Sequence, residues 1–301
     1  MVRVRDRLKG ASRRRLIGSG GPGSMDRMEW SAMGRVWAFP RRNRSARHRW
    51  EYIGRSGPDA YRMMDGSRSE AELRQRGGRM ARAFAEAMGI RPSHQVLEVG
   101  CGVARIGREL APLCGTYTGA DISRSLLKRA GKRTAHLDNT GFVYLEGPGL
   151  AGLEGGRFQR LICHLVLLHL DEAEIRLLLR EFRRVLSRDG IAYLDAWNLR
   201  QPQVWELFRR EALDPRLRTQ PHRSRFYTRE ALRDWLEASG LAAVWGRDDS
   251  FLLQAVAGRT DADGNEMDHL RTLLKEKGSL LRPQGRLEFG TLEPVQARRD
   301  H

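Results

Sequence analysis

Glu98, Gly100, Gly102 and Asp121 are the residues of this chain whose types and spacing could hold a small ligand. The run Val96-Leu97-Glu98-Val99-Gly100-Cys101-Gly102-Val103-Ala104-Arg105 reads as a buried strand entering a glycine turn that opens a helix. Such a turn lets a ligand approach bare backbone, and a helix N-terminus supplies free N–H groups. Asp121 stands 21 residues after Gly100, at the end of the next strand, where a carboxylate accepts hydrogen bonds from ribose hydroxyls. The dinucleotide fingerprint GxGxxG needs glycine where Arg105 stands, and Glu98 would repel a pyrophosphate.

A carboxylate two residues before the turn suits a ligand with a cationic amino-acid end and an adenosine end, the form of S-adenosyl-L-methionine. Two histidines could serve as a base for such chemistry. His164 and His169 follow the strand Phe158–His164, at the sheet edge where ligands of α/β proteins sit. Leucines and a valine surround them, so the alternative is a hydrogen-bonded histidine beneath the ligand. Cys163 has no feature of a covalent nucleophile. Asp195, Trp197 and Asn198 end a later strand at the same edge, with Trp197 read as an interior residue or a pocket wall.

These residues need a scaffold, and the alternation of elements supplies one. Strands are predicted over Gln95–Val99, Thr116–Asp121, Phe142–Leu145, Phe158–His164, Ile191–Trp197, Ala242–Arg247 and Phe251–Ala257. Helices are predicted over Ser69–Met88, Arg105–Leu113, Ser123–Thr134, Glu172–Leu186 and Thr228–Ala238. The last two strands pair antiparallel through Asp248-Asp249-Ser250. Strands alternating with helices mean an α/β fold: a doubly wound, mostly parallel, seven-stranded sheet covered on both faces. The insert between Leu199 and Phe226, rich in Arg, Gln and Pro, is expected to be a lid.

Of the 301 residues, 40% are hydrophobic and 30% charged, which excludes a disulfide miniprotein, a collagen and a wholly disordered chain. No apolar run approaches the roughly 18 residues that cross a bilayer. Three cysteines (Cys101, Cys114, Cys163) without a CxxC pair read as reduced thiols of a cytoplasmic protein, not a zinc site. The net charge of +17 is concentrated in residues 1–49, with 14 Lys and Arg against 3 Asp and Glu. That segment reads as a basic, disordered leader, and deleting residues 1–24 is expected to leave folding and ligand binding unchanged. Residues 50–92 read as an N-terminal helical cap in which Tyr52, Tyr61 and Met64 either line the pocket or simply pack. Residues 93–258 form the ligand-binding domain and 259–301 a peripheral tail containing a helix over Asp268–Lys277.

The stretch 93–258 resembles a class I S-adenosylmethionine-dependent methyltransferase of the group acting mostly on small molecules. The resemblance is carried by Glu98-Val99-Gly100-Cys101-Gly102, with Ala104 in the third glycine place, and by Thr118-Gly119-Ala120-Asp121-Ile122-Ser123. It continues through Phe158–Leu170, Leu186–Tyr193 and Tyr227–Leu241. It implies a Rossmann-like fold and S-adenosylmethionine as cofactor. By carry-over, Gly100, Cys101 and Gly102 lie along the methionine part, Glu98 holds the amino-acid end and Asp121 the ribose. Ile122, Gly147 and His164 complete the cofactor set, and His164 and His169 are the candidate catalytic residues. Proline stands at position 148, where the family usually places an aspartate for adenine, and Gln159 replaces the aspartate that opens the fourth strand.

The expected reaction is in-line methyl transfer to a small-molecule acceptor, with no metal, no membrane and no stated oligomeric state. A nucleic-acid acceptor is disfavoured, because the place of the Asn/Asp-Pro-Pro-aromatic motif of base-amino methyltransferases reads Cys163-His164-Leu165-Val166. A non-catalytic binding protein is the remaining alternative. Asp121, as a strand-end carboxylate, is expected to contribute little to the core.

Overall fold

The computed structural model describes residues 45–214, 224–246 and 250–262, together with 267, 268 and 272. Three helices precede the sheet: α1 (Ala46–Arg55), α2 (Gly57–Asp65) and α3 (Glu70–Ala87). Each starts where a serine side chain caps it, Ser45, Ser56 and Ser69 accepting from the amides of His48, Asp59 and Glu72. The expected leader boundary therefore moves: α1 begins at Ala46, inside the segment read as leader, and buries Arg49 and Ile53. Residues 1–44 lie outside the described residues.

The sheet follows as β1 (Gln95–Val99), β2 (Thr116–Asp121), β3 (Thr140–Tyr144), β4 (Phe158–Cys163), β5 (Leu186–Asn198), β6 (Phe226–Tyr227), β7 (Leu241–Trp245) and β8 (Leu252–Arg259). Between these strands run α4 (Gly107–Leu110), α5 (Arg124–Arg133), α6 (Glu172–Val185), α7 (Pro202–Leu213) and α8 (Arg229–Ala238). The strand order is β3-β2-β1-β4-β5-β8-β7, with β6 pairing β5. β3 to β5 run parallel, whereas β8 is antiparallel to both β5 and β7. The expected doubly wound architecture is present, with eight strands instead of seven. The insert read as a lid accounts for the difference: Pro202 opens α7, and Phe226 and Tyr227 pair with Trp197 and Asn198. Most of the expected Asp248-Asp249-Ser250 connection, and most of the expected helix over Asp268–Lys277, fall outside the described residues. None of the described helices is long and apolar enough to cross a membrane.

Strand alternation divides the core into two layers. Leu97, Val99, Leu161, Cys163, Ala192 and Leu194 pack under α6 and α8. Val96, Ile162, Tyr193 and Val256 pack on the other face under Ala81 and Phe84 of α3. Glu98, His164 and Asp195 fall at the alternate positions of the second set and so belong to the face that α3 covers. Arg160 is fully buried in that layer and donates to the Met88 carbonyl at 2.5 Å, satisfying the C-terminal end of α3.

Several polar contacts fasten the cap to the sheet domain, among them Arg129 Nε donating to the Gly54 carbonyl at 2.6 Å and the Arg133–Glu70 ion pair at 3.0 Å. Glu51 of α1 accepts from the Ser123 hydroxyl (3.0 Å), the Ser125 amide (3.1 Å) and the Ser125 hydroxyl at the start of α5. Ile53, Ala60, Leu73, Val103 and Leu126 form a small core beneath it, joining the cap to the glycine turn and to α5.

Candidate functional site

The turn after β1 is held in left-handed backbone at Gly100 (φ 73°), Gly102 (φ 55°) and Ala104 (φ 51°). For an alanine this conformation costs about 1–2 kcal/mol, and here the Ala104 amide is tied to the Cys101 carbonyl at 2.8 Å. The amides of Gly100 and Cys101 both donate to the Ala120 carbonyl (2.8 and 3.1 Å), and the Gly102 amide donates to Asp121 Oδ2 at 3.0 Å. The expectation of free turn amides is thus corrected: the first three bind the end of β2. The helix expected over Arg105–Leu113 is also shorter, one α turn at Gly107–Leu110 followed by a 3-10 turn at Ala111–Leu113. The glycines are required for a second reason. A Cβ at position 100 would lie 2.3 Å from Val166 Cγ2, and one at position 102 would lie 2.5 Å from Met64 Sδ. The turn is therefore clasped by the segment after β4 on one side and by the cap on the other.

Two carboxylates converge on this turn. Glu98 is buried, accepts from the Tyr117 hydroxyl at 2.6 Å and from the Gly107 amide, and lies near the Arg105 charge. Burial pushes its carboxyl up to about 7, against the pull of the Tyr117 bond and the Arg105 charge. Asp121 is 7% exposed and accepts from the amides of Gly102 and Ser123 (2.9 Å). Burial raises it to about 6 despite those bonds. Among the described residues no lysine or arginine forms an ion pair with either group. Two desolvated carboxylates with no direct ion pair among the described residues, and only the nearby Arg105 charge beside Glu98, suit a ligand that brings a positive charge and hydroxyl donors of its own. The donor set fits S-adenosylmethionine on that ground.

The other expected site residues are distributed differently. Cys101 spends its amide on Ala120, and its Sγ would lie 2.8 Å from a Cβ at Gly119, so its side chain faces the protein interior. Its backbone is part of the turn. Ile122, partly buried, packs on the core layer below α6, and Gly147 lies in the loop after β3 with open space about its Cα. Of the cap residues, Met64 reaches the turn, while Tyr52 is 43% exposed. Trp197 is interior, against Phe251.

The two histidines part company. His169 turns toward the cap, its ring 5.3 Å edge-on from Trp50, and burial with the nearby Arg49 charge lowers it to about 4. His164 stays on the sheet, its Nδ1 2.5 Å from Asp195 Oδ2 and its ring 5.8 Å from Phe84 of α3. Sequence reasoning placed Asp195 at the correct edge without joining it to His164. The available signal was register: once β4 and β5 pair in parallel, with Cys163 beside Leu194, the next residues are His164 and Asp195.

Residues 96–190 match the family described as a methyltransferase domain. A search of curated proteins finds no match. The crystal structure of magnesium protoporphyrin IX methyltransferase from Synechocystis PCC 6803 with bound SAH is similar over 69% of this chain and 96% of that one, at 20% identity and a TM-score of 0.53. The PH0226 protein from Pyrococcus horikoshii OT3 is similar over 64% and 92%, at 19% identity and a TM-score of 0.51. At these identities the structures share the fold, and the family match runs from the strand–turn–helix unit through β2, β3 and β4 to the start of β5. Residues 96–190 thus carry a methyltransferase domain, set in a sheet with the Rossmann-like fold of these structures.

Proposed function

We propose that this chain transfers the methyl group of S-adenosylmethionine to a small-molecule acceptor admitted beneath the α1–α2 cap. The observation that carries the reading is the pair of buried carboxylates, Glu98 and Asp121, raised by desolvation and lacking an ion-pair partner beside a left-handed glycine turn. In this reading Asp121 accepts from the ribose hydroxyls and Glu98 attracts the cationic amino-acid end. Gly100 and Gly102 leave room along the methionine part, while Ile122 and the Gly147 loop flank the adenine. When bound, the cofactor supplies an electrophilic methyl on a sulfonium that leaves as a neutral thioether, so positioning the nucleophile supplies much of the catalysis. The cap supports a small acceptor: Met64 closes over the glycine turn, and Trp50 meets His169 of the segment after β4.

The same carboxylates set the pH dependence. Their folded values, about 7 and about 6, lie above the unfolded ones, so in the free protein they contribute stability that is complete below pH 4 and lost as pH rises to 7. A cationic ligand prefers them ionised, so binding releases protons and the sign reverses. Affinity for S-adenosylmethionine and S-adenosylhomocysteine is expected to rise roughly tenfold between pH 5.5 and 7.5. Calorimetric titration at several pH values, in two buffers of different ionisation enthalpy, measures both affinity and proton release. Binding that is absent, or stronger at pH 5.5, would overturn the reading. Labelled cofactor incubated with a metabolite extract and, separately, with total RNA then distinguishes a small acceptor from a nucleic acid.

A further inference from the structure

Asp195 is fully buried at the end of β5, yet it is surrounded by donors instead of cations. Its Oδ2 lies 2.5 Å from His164 Nδ1 and accepts from the Tyr193 hydroxyl at 2.9 Å, while its Oδ1 accepts from the Leu165 amide at 2.7 Å. An ionised carboxylate receiving three donors is satisfied in the interior. It also dictates the imidazole tautomer: Nδ1 must carry the proton to donate to Asp195, which leaves the Nε2 lone pair available. Nε2 forms no hydrogen bond among the described residues, and the side chain is 11% exposed.

Backbone strain is concentrated at the same place. Leu165 adopts φ 57°, a left-handed conformation costly for a leucine, and the Asp195 bond to its amide holds it there. The bend delivers Val166 against Gly100 and leaves His164 at the mouth of the β1–β4 edge, beside the glycine turn. Phe84 of α3 and Tyr193 bracket the ring at 5.8 and 6.3 Å. A histidine that merely filled space would need neither a buried carboxylate behind it nor a strained residue after it.

We propose that His164 Nε2 is the general base of this site, with Asp195 and Tyr193 as positioning residues, and that the methyl acceptor is a hydroxyl still carrying its proton at neutral pH, of the phenolic or enolic kind. A carboxylate oxygen or a free amine attacks without first losing a proton; a hydroxyl gains from a base, by roughly 10²–10⁴-fold. In the step, Nε2 takes the hydroxyl proton as the oxygen lone pair bonds to the methyl carbon. The electrons of the breaking C–S bond remain on sulfur, and the imidazolium, stabilised by Asp195, later returns its proton to water. This inference rests on the methyltransferase reading above and deepens it.

The test uses the full-length protein labelled with 15N-histidine. His164 is assigned by the signal lost in His164→Gln, and its tautomer is read with and without S-adenosylhomocysteine. The expected wild-type signature is a protonated Nδ1 and a bare Nε2. In Asp195→Asn the amide NH2 offers a donor in place of the acceptor, so the proton is expected to move to Nε2. Labelled methyl groups transferred from cofactor into a small-molecule extract are expected to be alkali-stable ethers. Transfer is expected to fall roughly a hundredfold or more in His164→Gln and Asp195→Asn. Affinity for S-adenosylhomocysteine, measured by calorimetry, should stay within a few-fold. A wild-type Nε2–H tautomer, alkali-labile methyl esters, or undiminished transfer in His164→Gln overturns the proposal while leaving the cofactor reading intact. Failure of the wild type to bind S-adenosylhomocysteine overturns the reading beneath it.

Discussion

Replacing Asp121 by alanine is expected to weaken S-adenosylmethionine binding roughly ten- to a hundredfold, about 1.5–3 kcal/mol for charge-assisted hydrogen bonds. Two neighbouring ribose hydroxyls can donate to one carboxylate, which favours the upper half of that range. The structure adds a second effect that a strand-end position did not suggest. Asp121 is nearly buried, and its oxygens hold the Gly102 amide at 3.0 Å and the Ser123 amide at 2.9 Å. Alanine leaves both donors without an acceptor, so the expectation that this carboxylate contributes little to the fold is corrected. Stability should fall by about 1–3 kcal/mol as well. Asp121→Asn keeps one acceptor oxygen and should lose less of both. Thermal melts and calorimetric titrations of the two variants separate the effects. A folded Asp121→Ala protein with an unchanged dissociation constant would mean that the ribose is held elsewhere.

The adjacent glycines of α3 are expected to respond to alanine with opposite signs. Where the added methyl meets no clash, glycine to alanine in a helix interior stabilises by about 1 kcal/mol. At Gly78 the nearest side-chain atoms to an added Cβ are Arg82 at 3.7 Å and Glu109 at 4.0 Å, ordinary contacts, so Gly78→Ala should gain about 0.5–1 kcal/mol. At Gly77 the added Cβ would lie 2.1 Å from the Arg105 carbonyl oxygen, which belongs to backbone and cannot swing aside. Helix α3 would have to lift from the turn-bearing segment, at a cost of about 3 kcal/mol or more. In a domain of this size that corresponds to a melting temperature lower by roughly 6–12 °C. Because α3 also carries Phe84 against His164, Gly77→Ala should weaken cofactor binding, whereas Gly78→Ala should not. Equal melting temperatures for the two variants would contradict the close approach of α3 to the turn.

Much of the fold is legible in the chain because its signals are local. β1 and β2 begin and end at the expected residues, since their apolar runs are bounded by turn residues on both sides. Helix α3 lies within one residue of its expected bounds, because Ser69 caps it and Leu73, Met80, Ala81, Phe84 and Met88 mark an apolar face at helical spacing. The cap helices α1 and α2 were expected as a unit without boundaries, since short serine-capped helices carry little periodicity. β6 was missed for a related reason. Two residues have no period, and Phe226 and Tyr227 become a strand only because β5 offers them a free edge.

The candidate site divides along the same line. The sequence by itself determined the glycine turn, the two carboxylates flanking it and the histidines after β4, because each belongs to a contiguous strand–turn unit whose geometry follows from its own residues. Tertiary structure alone decided what those groups meet. Glu98 finds Tyr117 because β1 and β2 pair in parallel, and Asp121 turns back to Gly102 because the turn folds over the end of β2. His164 acquires Asp195 across 31 residues because parallel register sets the ends of β4 and β5 side by side on the face under α3. The physical reason is range. Backbone propensity acts over a few residues, whereas a hydrogen bond between side chains on neighbouring strands exists only after helices between them have packed and the register is set.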